Sequence, residues 1–368
     1  MILKKDEVVF LLGAGASVEA GIPASAQMIE KLEGLLRDHS DWKGYSKLYN
    51  YLKSAIMYGH NLRGMYDHTK FNIEDLVGTL DDLLRGDEHP LFPFIGSWAP
   101  KLPEVAGSNL AKVSELRQKI VKELRDSWVQ LKYDRSAAYF GGLARFQQEY
   151  QHPMRVFTLN YDLCVEKGCQ DLRVERGFGD GERWDWRVFD ESADSEAPNV
   201  YLYKLHGSID WTRDDNNHLV YQDAPIEPKH IQIIFGTTYK LQYVDPFLFF
   251  AYELRRWTIT SARLIVTVGY SFADEHINGI LGQALASDPG KRILAVGMWN
   301  DTDGHRDEIT SRLKTSNDTD QVIFRTAKAK PFFDTELSIK TLTEVFPDEE
   351  DPFEEVKPIQ ASQPTGEQ

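Results

Sequence analysis

The stretch VVFLLGAGASVEAGIPASAQ, residues 8–27, decides how the rest of the chain is read. Val8, Val9, Phe10, Leu11 and Leu12 form an unbroken apolar run with β-branched residues, the signature of a central parallel strand covered on both faces. Gly13 and Gly15 then let the backbone turn tightly and approach a ligand. Ser17 is expected to open a helix whose unpaired N–H groups and positive dipole end face that turn, a place for a diphosphate. Position 18 is valine, not the third glycine of a dehydrogenase fingerprint, and no GK[ST] follows, so neither that fingerprint nor an ordinary P-loop is complete. A strand-to-helix turn that merely needs glycine is the competing reading.

Beyond the turn, Met28, Ile29, Leu32, Leu35 and Leu36 carry helical spacing over 24–37. Residues 41–150 read as mostly helical. One apolar face runs from Phe71 through Ile73, Leu76, Val77 and Leu80 to Leu84, and a second from Leu110 through Val113, Leu116, Ile120 and Leu124 to Leu131. Residues 86–107, with Pro90, Pro93, Pro100 and Pro103, are expected to form loop and turns between them. This block is a helical insertion whose ordinary role would be packing and oligomer contacts.

Core strands are expected at 155–159 and 200–205, with short β-rich runs at 232–235, 264–268 and 293–296, and helices at 247–259 and 274–285. Residues 321–325 suit an edge strand and 334–345 a last helix. Strands alternating with helices imply a Rossmann-like α/β fold with a parallel sheet and helices on both faces. Ligands of such sheets collect beyond the carboxyl ends of the strands, where the glycine turn, Asn160, Asp162, His206 and Gly269-Tyr270-Ser271 all fall. The division that follows is a nucleotide domain over 1–40 and 151–346, the helical insertion over 41–150, and an acidic, proline-containing, disordered tail over 347–368.

Composition narrows the function. A net charge of −15 over 368 residues disfavours direct nucleic-acid binding. Cys164 and Cys169 are too few for a disulfide framework or a four-cysteine zinc site and point to a reducing cytoplasm. No run reaches the roughly 18 apolar residues of a membrane span, and the N-terminus lacks signal-peptide order, so a soluble cytoplasmic protein is expected. His276 and His305 show no metal-ligand spacing, and no metal is expected.

The short motifs GAGAS and GIP (13–17, 21–23), TLNYD (158–162), KLHGS (204–208), GYS (269–271) and VGMWN (296–300) come in the order and at the strand ends seen in Sir2-type proteins, which this chain resembles. The resemblance implies cleavage of the nicotinamide–ribose bond of NAD, with NAD as substrate. Gly13, Ala14, Gly15 and Ser17 would hold the phosphates, Asn160 and Asp162 would contact the nicotinamide ribose or order water, and His206 would act as base on a ribose hydroxyl. Histidine, with an ordinary pKa of about 6.5, suits that task near neutral pH. Gly269 and Ser271 would lie by phosphate or ribose, and Asn300 by the adenosine ribose. Each has a rival role: Asp162 and Ser271 as helix caps, His206 as a hydrogen-bonded strand-end histidine.

Departures from the Sir2 deacylases matter too. Their small zinc module needs two Cys pairs, and Ala24-Ser25-Ala26 stand where they carry an Asp-Phe-Arg segment. The pattern is similar to the zinc-less Sir2-like effectors of bacterial antiphage defence, NAD glycohydrolases that work in large assemblies, in one case with a HerA-like hexameric ATPase. A homo-oligomer, NAD without zinc, and no nucleic-acid or membrane partner are the expectations. The alternatives are an NAD-dependent deacylase or ADP-ribosyltransferase and a non-catalytic NAD- or ADP-ribose-binding regulatory subunit.

Overall fold

The computed structural model describes residues 3–62, 71–85, 101–179, 181–190, 197–223, 226–234, 245–299, 302–315 and 320–346. Their centre is a seven-stranded parallel sheet built from β1 (Val8–Leu12), β2 (Met154–Thr158), β3 (Val174–Glu175), β4 (Val200–Lys204), β7 (Leu264–Val268), β8 (Arg292–Gly297) and β9 (Val322–Thr326). Between β4 and β7, β5 (Trp211–Arg213) and β6 (Leu219–Tyr221) form a separate antiparallel pair. The sheet order is β3-β4-β2-β1-β7-β8-β9. From β1 the chain moves outward through β2 to β4, then returns to lay β7 along the other edge of β1 and moves out through β8 to β9. The order therefore reverses beside β1, and the crevice of such a sheet opens beyond the strand ends there.

The unbroken apolar run of β1 follows from its place. All five of its residues are buried, and they alternate between two cores. Val8, Phe10 and Leu12 join Val156, Leu202, Val266 and Leu294 under helices from the first 150 residues, among them α1 (Ser25–Asp38), α2 (Ile73–Leu84), α3 (Ala111–Glu123) and α4 (Gly141–Tyr150). Val9 and Leu11 join Phe157, Tyr201, Tyr203, Ile265 and Ile293 under α5 (Phe247–Thr260) and α6 (Glu275–Ser287). Period-two alternation that finds apolar cover on both sides leaves no polar face to read. The described residues between β1 and β2 carry helices and no strand.

Several expectations are corrected. No helix begins at Ser17: two tight three-residue helical turns, Ala14–Ala16 and Val18–Ala20, follow the glycine bend, and Gly21, at φ 102°, ends the second. A regular helix starts only at Ser25, past Pro23, so the helix does not follow the bend directly. Of the 232–235 run, residues 232–234 are described and form no sheet strand, and Ile233 makes an isolated antiparallel bridge to Gly207. Of the expected 86–107 loop, Lys101–Ala106 is helical and 86–100 lie outside the described residues. The last helix is broken, because Ser338 caps a new one over Ile339–Val345. The tail, 347–368, lies outside the described residues. Among the described residues no helix is long and apolar enough to cross a membrane.

Candidate active site

Four strand ends meet at the reversal beside β1. The first carries the glycine bend, and backbone packing dictates its sequence. A Cβ on Gly13 would lie 2.6 Å from the Gly269 carbonyl oxygen, and one on Gly15 2.7 Å from Gly269 Cα. Gly269 itself sits at φ 61°, where a Cβ would come within 2.2 Å of the Ala16 nitrogen. The bend after β1 and the bend after β7 are thus pressed backbone to backbone. Gly13 N–H donates to Val268 O at 3.0 Å and Gly15 N–H to Gly269 O at 2.9 Å, while Ala16 and Ser17 N–H donate to Gly13 and Ala14 carbonyls. Ala14 is exposed, and among the described residues nothing accepts from its N–H. Tyr139, from the helical block, donates its hydroxyl to Ala16 O at 2.6 Å and fixes the bend from behind.

Asn160, two residues past β2, ties that strand end to the bend. Its Nδ2 donates to Gly13 O at 2.9 Å and to Ser17 Oγ at 3.0 Å, and its own N–H is held by Thr158 Oγ1. Asn160 and Ser17 are both buried. With its amide nitrogen engaged, Asn160 has its Oδ1 left to offer a ligand. Asp162 is buried too, and its Oδ1 accepts from Cys164 N–H at 2.9 Å, the head of the short helix Cys164–Gly168. Burial, and then the nearby Asp162 carboxylate, push the Cys164 thiol well above its ordinary pKa. The same two causes push the Tyr133 hydroxyl up.

Lys204, at the end of β4, is fully buried and joins this corner by donating to Asp162 O at 2.5 Å and to Glu166 Oε1 at 2.9 Å. Just beyond it, Gly207 stands at φ 83° with Gln232 O only 2.2 Å from where its Cβ would be, and His206 O accepts from Ile234 N–H. The 231–234 segment thereby holds the His206 backbone. The His206 side chain is 6 % exposed, and its Nε2 lies 3.5 Å from Asp274 Oδ2. Two and four positions on, Ser208 Oγ and Asp210 Oδ1 are buried with no hydrogen-bond partner among the described residues, although Asp210 Oδ2 accepts from Arg176 at 2.8 Å.

Asp274 had no assigned role in the sequence reading. It caps α6, with Oδ1 accepting from His276 N–H at 3.0 Å and Ile277 N–H at 3.3 Å. Ser271, whose rival role was that cap, is exposed three residues upstream, its carbonyl held by Arg312. The signal was present in Asp274-Glu275, an N-cap residue followed by an acidic first turn. Asn300 lies outside the described residues.

The structure thus brings Gly13, Gly15, Ser17, Asn160 and Gly269 into direct contact. The Asp162 carbonyl is held by Lys204, and His206 is joined to the Gly269 loop through Asp274. None of them lines the cavity of about 370 Å³ found between α5 and the turn Trp186–Phe189, which is walled by Phe189, Phe249, Tyr252 and Trp257. Among the described residues no group of three or more His, Cys, Asp or Glu side chains is placed to hold a metal ion.

No curated protein matches the chain. Residues 154–318, from the first residue of β2 to beyond α6, match the family model described as SIR2-like domain. That stretch contains Asn160, Asp162, His206, Gly269, Ser271 and Asp274 and lacks the glycine bend, and over it the chain is similar to a family whose chemistry is NAD-related.

Proposed function

We propose that the chain is an NAD glycohydrolase, converting NAD and water to ADP-ribose and nicotinamide, and that it depletes NAD as an effector of bacterial antiphage defence. One observation carries the reading: Gly13, Asn160, His206 and Gly269, which the Sir2 resemblance singles out and which span more than 250 positions of the chain, lie at strand ends beside the reversal point of a parallel sheet. The SIR2-like match over 154–318 supports it.

In this reading the exposed Ala14 N–H and the Ser271 loop meet the diphosphate, and Asn160 Oδ1 meets the nicotinamide ribose or the attacking water. Asp162 orders the wall beside it. His206 accepts a proton from a ribose hydroxyl, placing negative charge beside the sugar as the C1′–nitrogen bond breaks. Nicotinamide leaves neutral with the bonding electron pair. Water adds to C1′ and loses a proton, and the ribose hydroxyl recovers its own from the imidazole. A positioned base of this kind is worth about 10² to 10⁴ in rate. Such a toxic activity would be held off until infection or until the chain gathers into a homo-oligomer with a HerA-like ATPase partner.

The test is incubation of the full chain with NAD, alone and with the product of its genomic neighbour, followed by measurement of nicotinamide and free ADP-ribose. Equal amounts of both, lost in His206→Ala, are expected. Tight NAD binding without nicotinamide release in either condition would make the chain a nucleotide-binding subunit. ADP-ribose recovered on an acylated peptide would make it a transferase.

A further inference from the structure

We propose that Asp274 is a positioning residue for His206, its carboxylate divided between two tasks: Oδ1 caps α6, and Oδ2 fixes the imidazole so that Nε2 carries the proton and Nδ1 is the accepting atom. The inference rests on the base role assigned to His206 above, and it names the atom that performs it.

The geometry is specific. Asp274 is 5 % exposed, so its carboxylate is satisfied by protein. Oδ1 takes two backbone N–H groups of the first turn of α6. Oδ2 lies 3.5 Å from His206 Nε2, long for a hydrogen bond but close enough to favour a ring nitrogen that bears hydrogen over one that presents a lone pair. Among the described residues no hydrogen bond reaches His206 Nδ1. A neutral imidazole with its hydrogen on Nε2 has its basic lone pair on Nδ1.

The carboxylate is also held still. Tyr270 donates its hydroxyl to Asn278 Oδ1 at 2.8 Å and lies 3.2 Å from Asp274 O, and Asn278 Nδ2 donates to Phe272 O at 2.8 Å. Arg312 binds Phe272 O from outside at 2.8 Å. The loop from Gly269 to Asp274 is thereby braced on three sides, and the same loop presses on the glycine bend. A single rigid segment sets both the bend and the ring.

Asp274→Asn separates the two tasks, because asparagine caps a helix about as well as aspartate but carries no charge and sets no single proton position on its neighbour. We expect the melting temperature of this variant to stay within about 3 °C of wild type. NAD turnover should fall at least tenfold in kcat, with KM changed less than about threefold. Wild-type kcat in Asp274→Asn would reduce Asp274 to a cap and overturn the proposal.

A second measurement does not depend on activity. In the full chain labelled with ¹⁵N-histidine and held near pH 8, where histidine is mainly neutral, the His206 resonances, assigned by their loss in His206→Gln, should report hydrogen on Nε2. In Asp274→Asn they should report a mixture of the two forms. Hydrogen on Nδ1 in the wild-type chain, or no change on substitution, would refute the pairing. If instead wild-type protein releases no nicotinamide while the ring still shows the expected form, the glycohydrolase reading fails and the Asp274–His206 pairing stands.

Discussion

The two ends of the sheet bury charge in opposite ways. At the strand starts, Arg155 on β2 is completely enclosed: its Nε donates to Asp6 at 2.8 Å, its NH1 to the Tyr203 hydroxyl at 2.9 Å, and its guanidinium faces the Trp257 ring at 3.2 Å and Tyr201 at 4.8 Å. Burial then pushes the Tyr203 hydroxyl above its ordinary pKa, against the pull of Arg155. At the strand ends, His206 has one contact at 3.5 Å, and Ser208 Oγ and Asp210 Oδ1 have none among the described residues. A buried charge held by hydrogen bonds and ring faces rigidifies a fold, whereas polar atoms left with spare hydrogen-bonding capacity mark a place where something else completes them. The contrast separates an end of the sheet whose buried charge secures structure from the end to which the proposed function assigns the ligand.

Substitutions at the two ends should therefore fail differently. The largest effect is expected from His206→Ala, with NAD turnover down at least a hundredfold and the unfolding transition little moved. A variant with full turnover would erase the functional end of the comparison. Arg155→Met should do the reverse: about 3 kcal/mol or more lost from the unfolding free energy, because Asp6 and the Tyr203 hydroxyl lose their partner, with turnover per folded molecule retained. Denaturant unfolding beside an NAD assay reads both quantities.

Asn160→Ala sharpens the boundary, since its Nδ2 is bound to the bend while its Oδ1 is the atom assigned to the ligand in the proposed function. We expect about 1 to 2 kcal/mol lost in stability. Turnover should also fall about a hundredfold. Loss of stability alone would assign this asparagine to the scaffold.

The smallest effect concerns Cys169, whose thiol burial pushes up to about 12 from an ordinary value of 9.0. The folded chain then holds a proton that the unfolded chain releases above about pH 9. This contribution is complete below that value and is lost as the pH rises toward 12. The unfolding free energy of wild type should fall more steeply over that window than that of Cys169→Ala, and identical slopes would show that the thiol takes no part.

Much of the sheet was legible because its signal is local. The runs at 155–159, 200–205, 264–268 and 293–296 needed only short, largely apolar, β-rich sequence to be recognised, and each sits within a residue or so of its strand. The 232–235 run looked the same, yet its described residues 232–234 form no sheet strand and instead brace Gly207. Short β-rich segments do not announce whether they pair in a ladder or prop a turn. Asn160 and His206 were reached through motif resemblance. Asp274 was not, since its link to His206 joins residues 68 positions apart and leaves no periodic trace. The glycines of the first bend illustrate a further limit. Their spacing suggests an approaching ligand, and the structure shows that an approaching backbone, that of Gly269, demands the same residues.

The placement of β1 has a consequence for biosynthesis. Its neighbours are β2, which begins at Met154, and β7, which begins at Leu264. A ribosome therefore releases this very apolar segment long before either edge has anything to bond with. The intervening helices, which supply cover for only one of its faces, emerge first. Such distant pairings make folding slow and leave nascent chains prone to aggregate. Yield in a cell should accordingly depend on chaperone capacity and on translation speed across the second half of the message.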